Sequence, residues 1–140
     1  VFYIFPALER RFTANKRLVL LARKLYQGLG NENLKSRVYV SVTGEVVHHD
    51  FDTFDTDVPM YSLEFTLRGK GQQPAKVAEA LRELRRTFDD GTLVSPDFTV
   101  SSMRETRAAG PELVEGVYEA TLTYDLLVTM RTLVPANRDT

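Results

Sequence analysis

Residues 48–57, HHDFDTFDTD, hold the densest set of metal-ligating side chains in the sequence: His48, His49, Asp50, Asp52, Asp55 and Asp57. Imidazoles and carboxylates are suitable ligands for divalent metals, but their order here is wrong for the known binding loops. There is no D-x-D-x-D-G run, and two adjacent His residues cannot share a helix face as the pair in H-E-x-x-H does. The stretch reads better as an acidic loop in which Phe51 and Phe54 anchor the chain to its own domain or to a neighbour. A metal-dependent function at His48, His49 and Asp50 stands as a competing reading.

Other chemistries fail on composition or spacing. The glycine-containing RGKGQQP from Arg68 to Pro74 has neither the spacing of a phosphate-binding loop nor its Ser or Thr. No G-x-S-x-G turn occurs, and with only two His residues, both in the acidic loop, a Ser-His-Asp arrangement has little support. Asp89 and Asp90 precede Gly91, where a helix end explains them without acid–base catalysis. With no Cys there is no thiol nucleophile, disulfide framework or Cys-based zinc site. The expectation is a non-enzymatic protein with no cofactor and no metal.

Charge is unevenly distributed along the 140 residues, although the net value is only −1. Residues 1–40 carry eight Lys/Arg against two acidic residues, a net of +6, whereas residues 41–60 carry five acidic residues and no Lys/Arg. Such asymmetry fits nucleic-acid binding, and it equally lets the basic part of one copy meet the acidic part of another. The opening VFYIFPAL lacks a preceding basic segment and a small-residue cleavage site, which argues against a signal peptide. No run approaches the length of an apolar membrane span.

The elements that must position these residues follow from periodicity. Ala7 to Gln27 reads as helix, with a break near Thr13, whose hydroxyl would cap a new start at Ala14. Leu18, Leu21, Ala22 and Leu25 form its apolar stripe; Arg10, Arg11, Lys16, Arg17, Arg23 and Lys24 cover much of the rest. That basic surface is either a solvated face or the contact for an acidic partner surface. Gly28 and Gly30 are expected to stop the helix. Val38, Val40 and Val42 alternate with Tyr39 and Ser41 in a strand from Arg37 to Val42, and Gly44 reads as a turn after which Glu45 to His48 can continue the sheet. Tyr61 to Leu67 alternates cleanly as a second strand.

Pro74 suits the first turn of a helix in which Val77, Leu81, Leu84 and Phe88 fall on one face, so this segment should lie across a sheet. Leu93 and Val94 form a short apolar step. Phe98 to Arg107 reads as a strand, and Ala108 to Glu115 as a turn carrying Gly110 and Pro111. Val117 to Met130 is the longest run with one period. Tyr118, Ala120, Leu122, Tyr124, Leu126, Val128 and Met130 lie on one side; Glu119, Thr121, Thr123, Asp125 and Thr129 lie on the other. At ~3.3 Å per residue this strand exceeds ordinary lengths, which raises the question of what it pairs with. Tyr118 and Tyr124 share the face of Leu122, Leu126 and Val128, so core packing accounts for them better than RNA stacking does.

The sum is an α+β domain spanning residues 1–140, with an acidic loop at 43–60 and a surface tail at 131–140. Its sheet should be mostly antiparallel, of about four to five strands including a long C-terminal hairpin, packed by two amphipathic helices. The order of segments is distinctive. A basic amphipathic helix, a Val-rich strand and an irregular loop lead to Val58-Pro59-Met60-Tyr61 and a strand ending at Arg68-Gly69. One helix, the Leu93-Val94 step, a strand ending near Met103-Arg104-Glu105, a Gly/Pro turn and the long strand from Gly116 complete it. From about residue 15 to 131 this succession resembles the tail terminator, or tail-completion, proteins of long-tailed bacteriophages.

The resemblance implies a structural virion protein that forms a closed homo-oligomeric ring, typically hexameric, at the head-proximal end of the tail. It would be made and assembled in the host cytoplasm, stop polymerisation of the tail tube, and contact the tube protein and the head–tail connector proteins. DNA would pass through its lumen without specific binding. Under that implication the subunit-interface candidates are Arg10, Arg11, Lys16, Arg17, Arg23 and Lys24 against Asp50, Asp52, Asp55, Asp57, Phe51 and Phe54. The apolar Val1, Phe2, Tyr3 and Ile4 offer a further contact. Glu119, Thr121, Thr123 and Asp125 are the lumen-facing candidates, since a DNA passage should avoid tight phosphate binding, and the excess length of their strand is expected to project towards a neighbour or the lumen. A head–tail adaptor, a tail tube subunit, or a nucleic-acid-binding α+β domain using the basic helix are the alternatives.

Overall fold

A computed structural model of the chain describes residues 4–28, 38–47, 60–70, 74–89, 91–95 and 98–130. These residues form three helices and six strands in an α+β arrangement: α1 (Phe5–Ala14), α2 (Lys16–Ala22), β1 (Leu25–Gln27), β2 (Val38–Val47), β3 (Met60–Lys70), α3 (Pro74–Phe88), β4 (Leu93–Val94), β5 (Phe98–Val114) and β6 (Val117–Met130). One sheet has the order β1-β2-β3-β6-β5-β4. All its pairings are antiparallel except that of β1 with β2. The strand count exceeds the expected four to five because the short β1 and β4 close the two edges.

The period-two pattern of β6 is what organises this core. Ala120, Leu122, Tyr124, Leu126 and Val128 are buried, and α3 lies on them through Val77, Ala80, Leu81, Leu84 and Phe88. Phe65 of β3 sits at the centre, stacked 5.1 Å from the Phe88 ring and edge-on to Tyr124 at 6.1 Å. Offset and edge-to-face aromatic pairs contribute about 0.5–1.5 kcal/mol beyond area burial. Leu8 and Phe12 of α1 are fully buried, and this helix contacts both β1 and β4, the opposite edges of the sheet. The sheet therefore curls around its helices, and α1 fills the space between its two ends.

The helix expected from Ala7 to Gln27, with its break near Thr13, is two helices that meet at Asn15, followed by a strand. Thr13 does not cap the second start, because its hydroxyl donates back to the Glu9 carbonyl at 2.6 Å. Asn15 does so: its Oδ1 accepts from the backbone N–H groups of Arg17 and Leu18 at 3.0 and 3.2 Å. The same side chain donates through Nδ2 to Thr87 at 2.7 Å and to Glu83 at 3.2 Å, clamping the junction to α3. At the far end Arg23 adopts a φ of 73°, which ends α2 and sends Leu25 into the sheet beside Val40. Leu25 continues the spacing of Leu18 and Leu21, so apolar periodicity alone does not separate its strand from the helix before it.

Two expected turns are strand. Gly44 pairs with Leu63 inside β2, which runs on to Val47, so 43–47 of the expected loop is strand, and 48–59 lies outside the described residues. Ala108 to Val114 continues β5 past Gly110 and Pro111, absorbing them at a register shift between Ala109 and Glu112. A bulge accommodates Pro, which has no N–H for the ladder. Gly110 has a φ of 89°, and a Cβ there would stand 2.5 Å from the Glu119 carbonyl oxygen. The chain bends closely over β6 at this point and does not reverse. Reversal occurs at Glu115 and Gly116, with φ values of 50° and 83° between the paired Val114 and Val117, as a type I′ hairpin turn requires.

The length of β6 also has a different consequence from the one expected. β3 pairs with residues 117–127 and β5 with residues spread from Val117 to Met130, so β6 is a central strand with neighbours on both sides. Its excess does not project from the sheet.

Candidate functional site: the polar face of the sheet

The face of β6 turned away from α3 is built in rows by the register. Tyr39, Arg68, Glu119 and Glu112 stand abreast on β2, β3, β6 and β5. Ser41, Thr66, Thr121 and Ala109 form the next row, and Thr43, Glu64, Thr123 and Arg107 the one after. Ser62, Asp125 and Arg104 follow on β3, β6 and β5. Directly opposite residues of antiparallel strands have Cβ atoms about 4.5–5.5 Å apart, so each row is a set of touching neighbours. The four lumen-facing candidates are thus brought together on one surface, all half-buried.

This surface carries both signs of charge. Glu64, Glu112, Glu119 and Asp125 share it with Arg68, Arg104 and Arg107. Arg68 Nε donates to Glu119 Oε2 at 3.0 Å, and both side chains are part-exposed, so the pair contributes at most about 1 kcal/mol. Thr43, Gly44, Ser62, Glu64 and Thr123 line a shallow polar depression, and Arg68, Val114, Glu115, Val117 and Glu119 line a second one near the hairpin turn. At the β1 edge Tyr26 stacks on Tyr39 at 4.5 Å, and Lys24 Nζ lies 5.0 Å from the Tyr26 ring centre. Among the described residues no group of three His, Asp or Glu side chains is placed to hold a metal ion. Among the described residues this face is a broad, nearly charge-balanced surface of hydroxyls and charged side chains.

The basic candidates divide. Arg11 donates to the carbonyls of Thr87 and Thr92, each at 2.8 Å, and so satisfies backbone acceptors around the C-terminal end of α3. Arg17 pairs with Glu79 of α3 at 2.5 Å. Arg10, Lys16, Arg23 and Lys24 are exposed. Asp50, Asp52, Asp55, Asp57, Phe51 and Phe54, with His48 and His49, lie outside the described residues, as do Val1, Phe2 and Tyr3. Ile4 is buried in the core.

Sequence reasoning missed three features. Tyr124 donates from its hydroxyl to Asp89 at 2.6 Å, joining β6 to the residue after α3. Burial first, then this hydrogen bond and the negative charges of Asp89 and Glu105, push the phenol far above its ordinary range, with Arg85 opposing them. Arg85 forms a two-point pair with Glu105 of β5 at 3.0 Å, a contact between segments that no local pattern announces. The third is exposed apolar side chains at Leu20, Leu113, Val114 and Leu127. For Leu20 the signal was available, since it falls off the stripe formed by Leu18, Leu21 and Leu25.

No protein-family model matches the sequence, and no curated protein matches it. Solved structures do share the fold. A chain in the virion of a native gene transfer agent particle superimposes with a TM-score of 0.69 at 16% identity, over 92% of this chain and 99% of that one. A second solved chain superimposes with a TM-score of 0.60 at 12% identity, over 94% and 96% of the two chains. The architecture of this protein is therefore that of a chain found in a phage-like particle, matched almost from end to end.

Proposed function

We propose that this chain is a non-enzymatic structural protein of a phage or phage-like virion, and specifically a tail terminator. Copies of it close into a homo-oligomeric ring, hexameric as the family resemblance implies, at the head-proximal end of the tail tube. The ring stops tube growth and gives the head–tail connector a surface to join. The observation that carries this reading is the end-to-end correspondence of fold with a chain of the gene transfer agent virion, reached independently of the segment order that resembles tail terminators. The polar face fits the wall of a DNA passage: Glu119, Thr121, Thr123 and Asp125 stand among balanced charges, where tight phosphate binding would hinder transit.

An adaptor and a tube subunit are the nearest alternatives, and assembly behaviour separates them. Purified protein added to tail tubes and viewed by negative-stain microscopy should appear as single closed rings at one end of the tube. Growth of the protein itself into long cylinders would identify a tube subunit, and failure to associate with tubes would overturn the terminator reading.

A further inference from the structure

Two exposed patches stand at the borders of the polar face, and their chemistry is complementary. On α2, Leu20 is 74% exposed and is surrounded in sequence by the exposed cations Lys16, Arg23 and Lys24. At the β5–β6 turn, Leu113 is 60% and Val114 41% exposed, flanked by the exposed acids Glu112 and Glu115. A hairpin turn normally carries polar residues, and a non-glycine residue with positive φ, as Glu115 has, is uncommon. Leu113, on the face of Tyr118, and Val114, on the face of Glu119, stand at the end of β5 on the two sides of the hairpin and are flanked in sequence by acids, so an exposed apolar tip is presented there.

Their placement suits a ring. Val38, Gly69, Tyr118 and Leu113 form one row across β2, β3, β6 and β5, so the turn lies just beyond this end of the sheet. α2 leads through Arg23 and Lys24 into Leu25, which pairs with Val40 only two residues from that row. The start of β1, where the chain leaves α2, and the end of β5 are therefore at similar height, four strand spacings apart in the sheet order, about 19 Å measured along the curled sheet. A head-to-tail ring needs two different, complementary patches on each subunit.

We infer that the occupant of each patch is a second copy of this chain: the Leu113–Val114 turn of one subunit docks on the Leu20 surface of the next, with Glu112 and Glu115 facing Lys16, Arg23 and Lys24. This rests on the ring reading and names its interface. It differs from a contact between the basic helix and the acidic 48–57 segment, because the acids here come from the hairpin.

The test uses the full chain with Leu20→Glu, and separately with Leu113→Glu and Val114→Glu together. All three positions are exposed, so thermal melting should match the unaltered protein. Each variant alone should be monomeric by native mass spectrometry. Mixed one to one, they should form a dimer and stop, since each retains one intact patch and the pair has a single competent junction. Placing Lys16→Glu and Arg23→Glu in the same chain as Glu112→Lys and Glu115→Lys should restore rings that either charge reversal alone abolishes. Rings that persist in both apolar variants would overturn this interface and leave the ring reading standing. An unaltered chain that is monomeric at every concentration would overturn both.

Discussion

On one face of β6, Ala120, Leu122, Tyr124, Leu126 and Val128 are at most 1% exposed and sealed by α3. On the other, Glu119, Thr121, Thr123 and Asp125 are half-buried among hydroxyls and charges of both signs. The same backbone supports both, so the difference lies in what selects the side chains. On the inner face, the volume between sheet and helix selects them, and a changed atom is felt as a cavity or a clash. On the outer face the ion pair of Arg68 with Glu119 ties β6 to β3 among the described residues. Internal stability does not select a surface of that composition; under the proposed function, contact outside the subunit does.

The largest expected break is on the inner face. Phe65→Ala removes the ring between Phe88 and Tyr124 and should lower the unfolding free energy by about 3–5 kcal/mol in urea titration. Gly110→Ala comes next. It forces a side chain onto a φ of 89° and against the Glu119 carbonyl, and should cost about 1–3 kcal/mol by the same measurement.

Tyr124→Phe keeps the ring and removes the hydrogen bond to the exposed Asp89, for a loss of about 1 kcal/mol. Its pH signature is more specific. The unfolded chain releases the phenolic proton near pH 10, while the folded chain holds it because burial and the Asp89 contact raise the phenol. The contribution is thus complete below about pH 10 and declines as pH rises further, by up to about 1.4 kcal/mol per pH unit. Stability curves of the unaltered protein and Tyr124→Phe should converge in that range.

The smallest effects on stability belong to the outer face. Thr121→Arg and Asp125→Arg should each shift unfolding by no more than about 0.5 kcal/mol, while weakening tail joining or DNA delivery in a particle assay. Unfolding by either change would mean that this face is packed against the chain itself.

Most of the inner face was legible in sequence. Strict alternation from Val117 to Met130 and the spacing of Val77, Leu81, Leu84 and Phe88 are local patterns, and the strand and helix have the bounds those patterns give. The errors fell where a local signal has two physical outcomes. Gly110 and Pro111 fit a turn as readily as a bulged strand, and the close approach to Glu119 that decides between them is a long-range contact. Thr13 and Asn15 are both capping residues; Asn15 caps α2 because its amide also reaches Glu83 and Thr87, far away in sequence. Arg11 and Arg17 looked like free cations until folding set α3 beside them. The outer face was legible as a face, since alternation defines it, but its role depends on partners that one sequence does not contain.

The central claim is that this subunit closes on itself in a ring, and native mass spectrometry of the unaltered chain tests it most directly. The account predicts one discrete closed species at six times the 15.9 kDa subunit mass, with dimers and trimers scarce because closure favours the complete ring. A monomer that persists at every concentration, or an unlimited ladder of polymers, would contradict it.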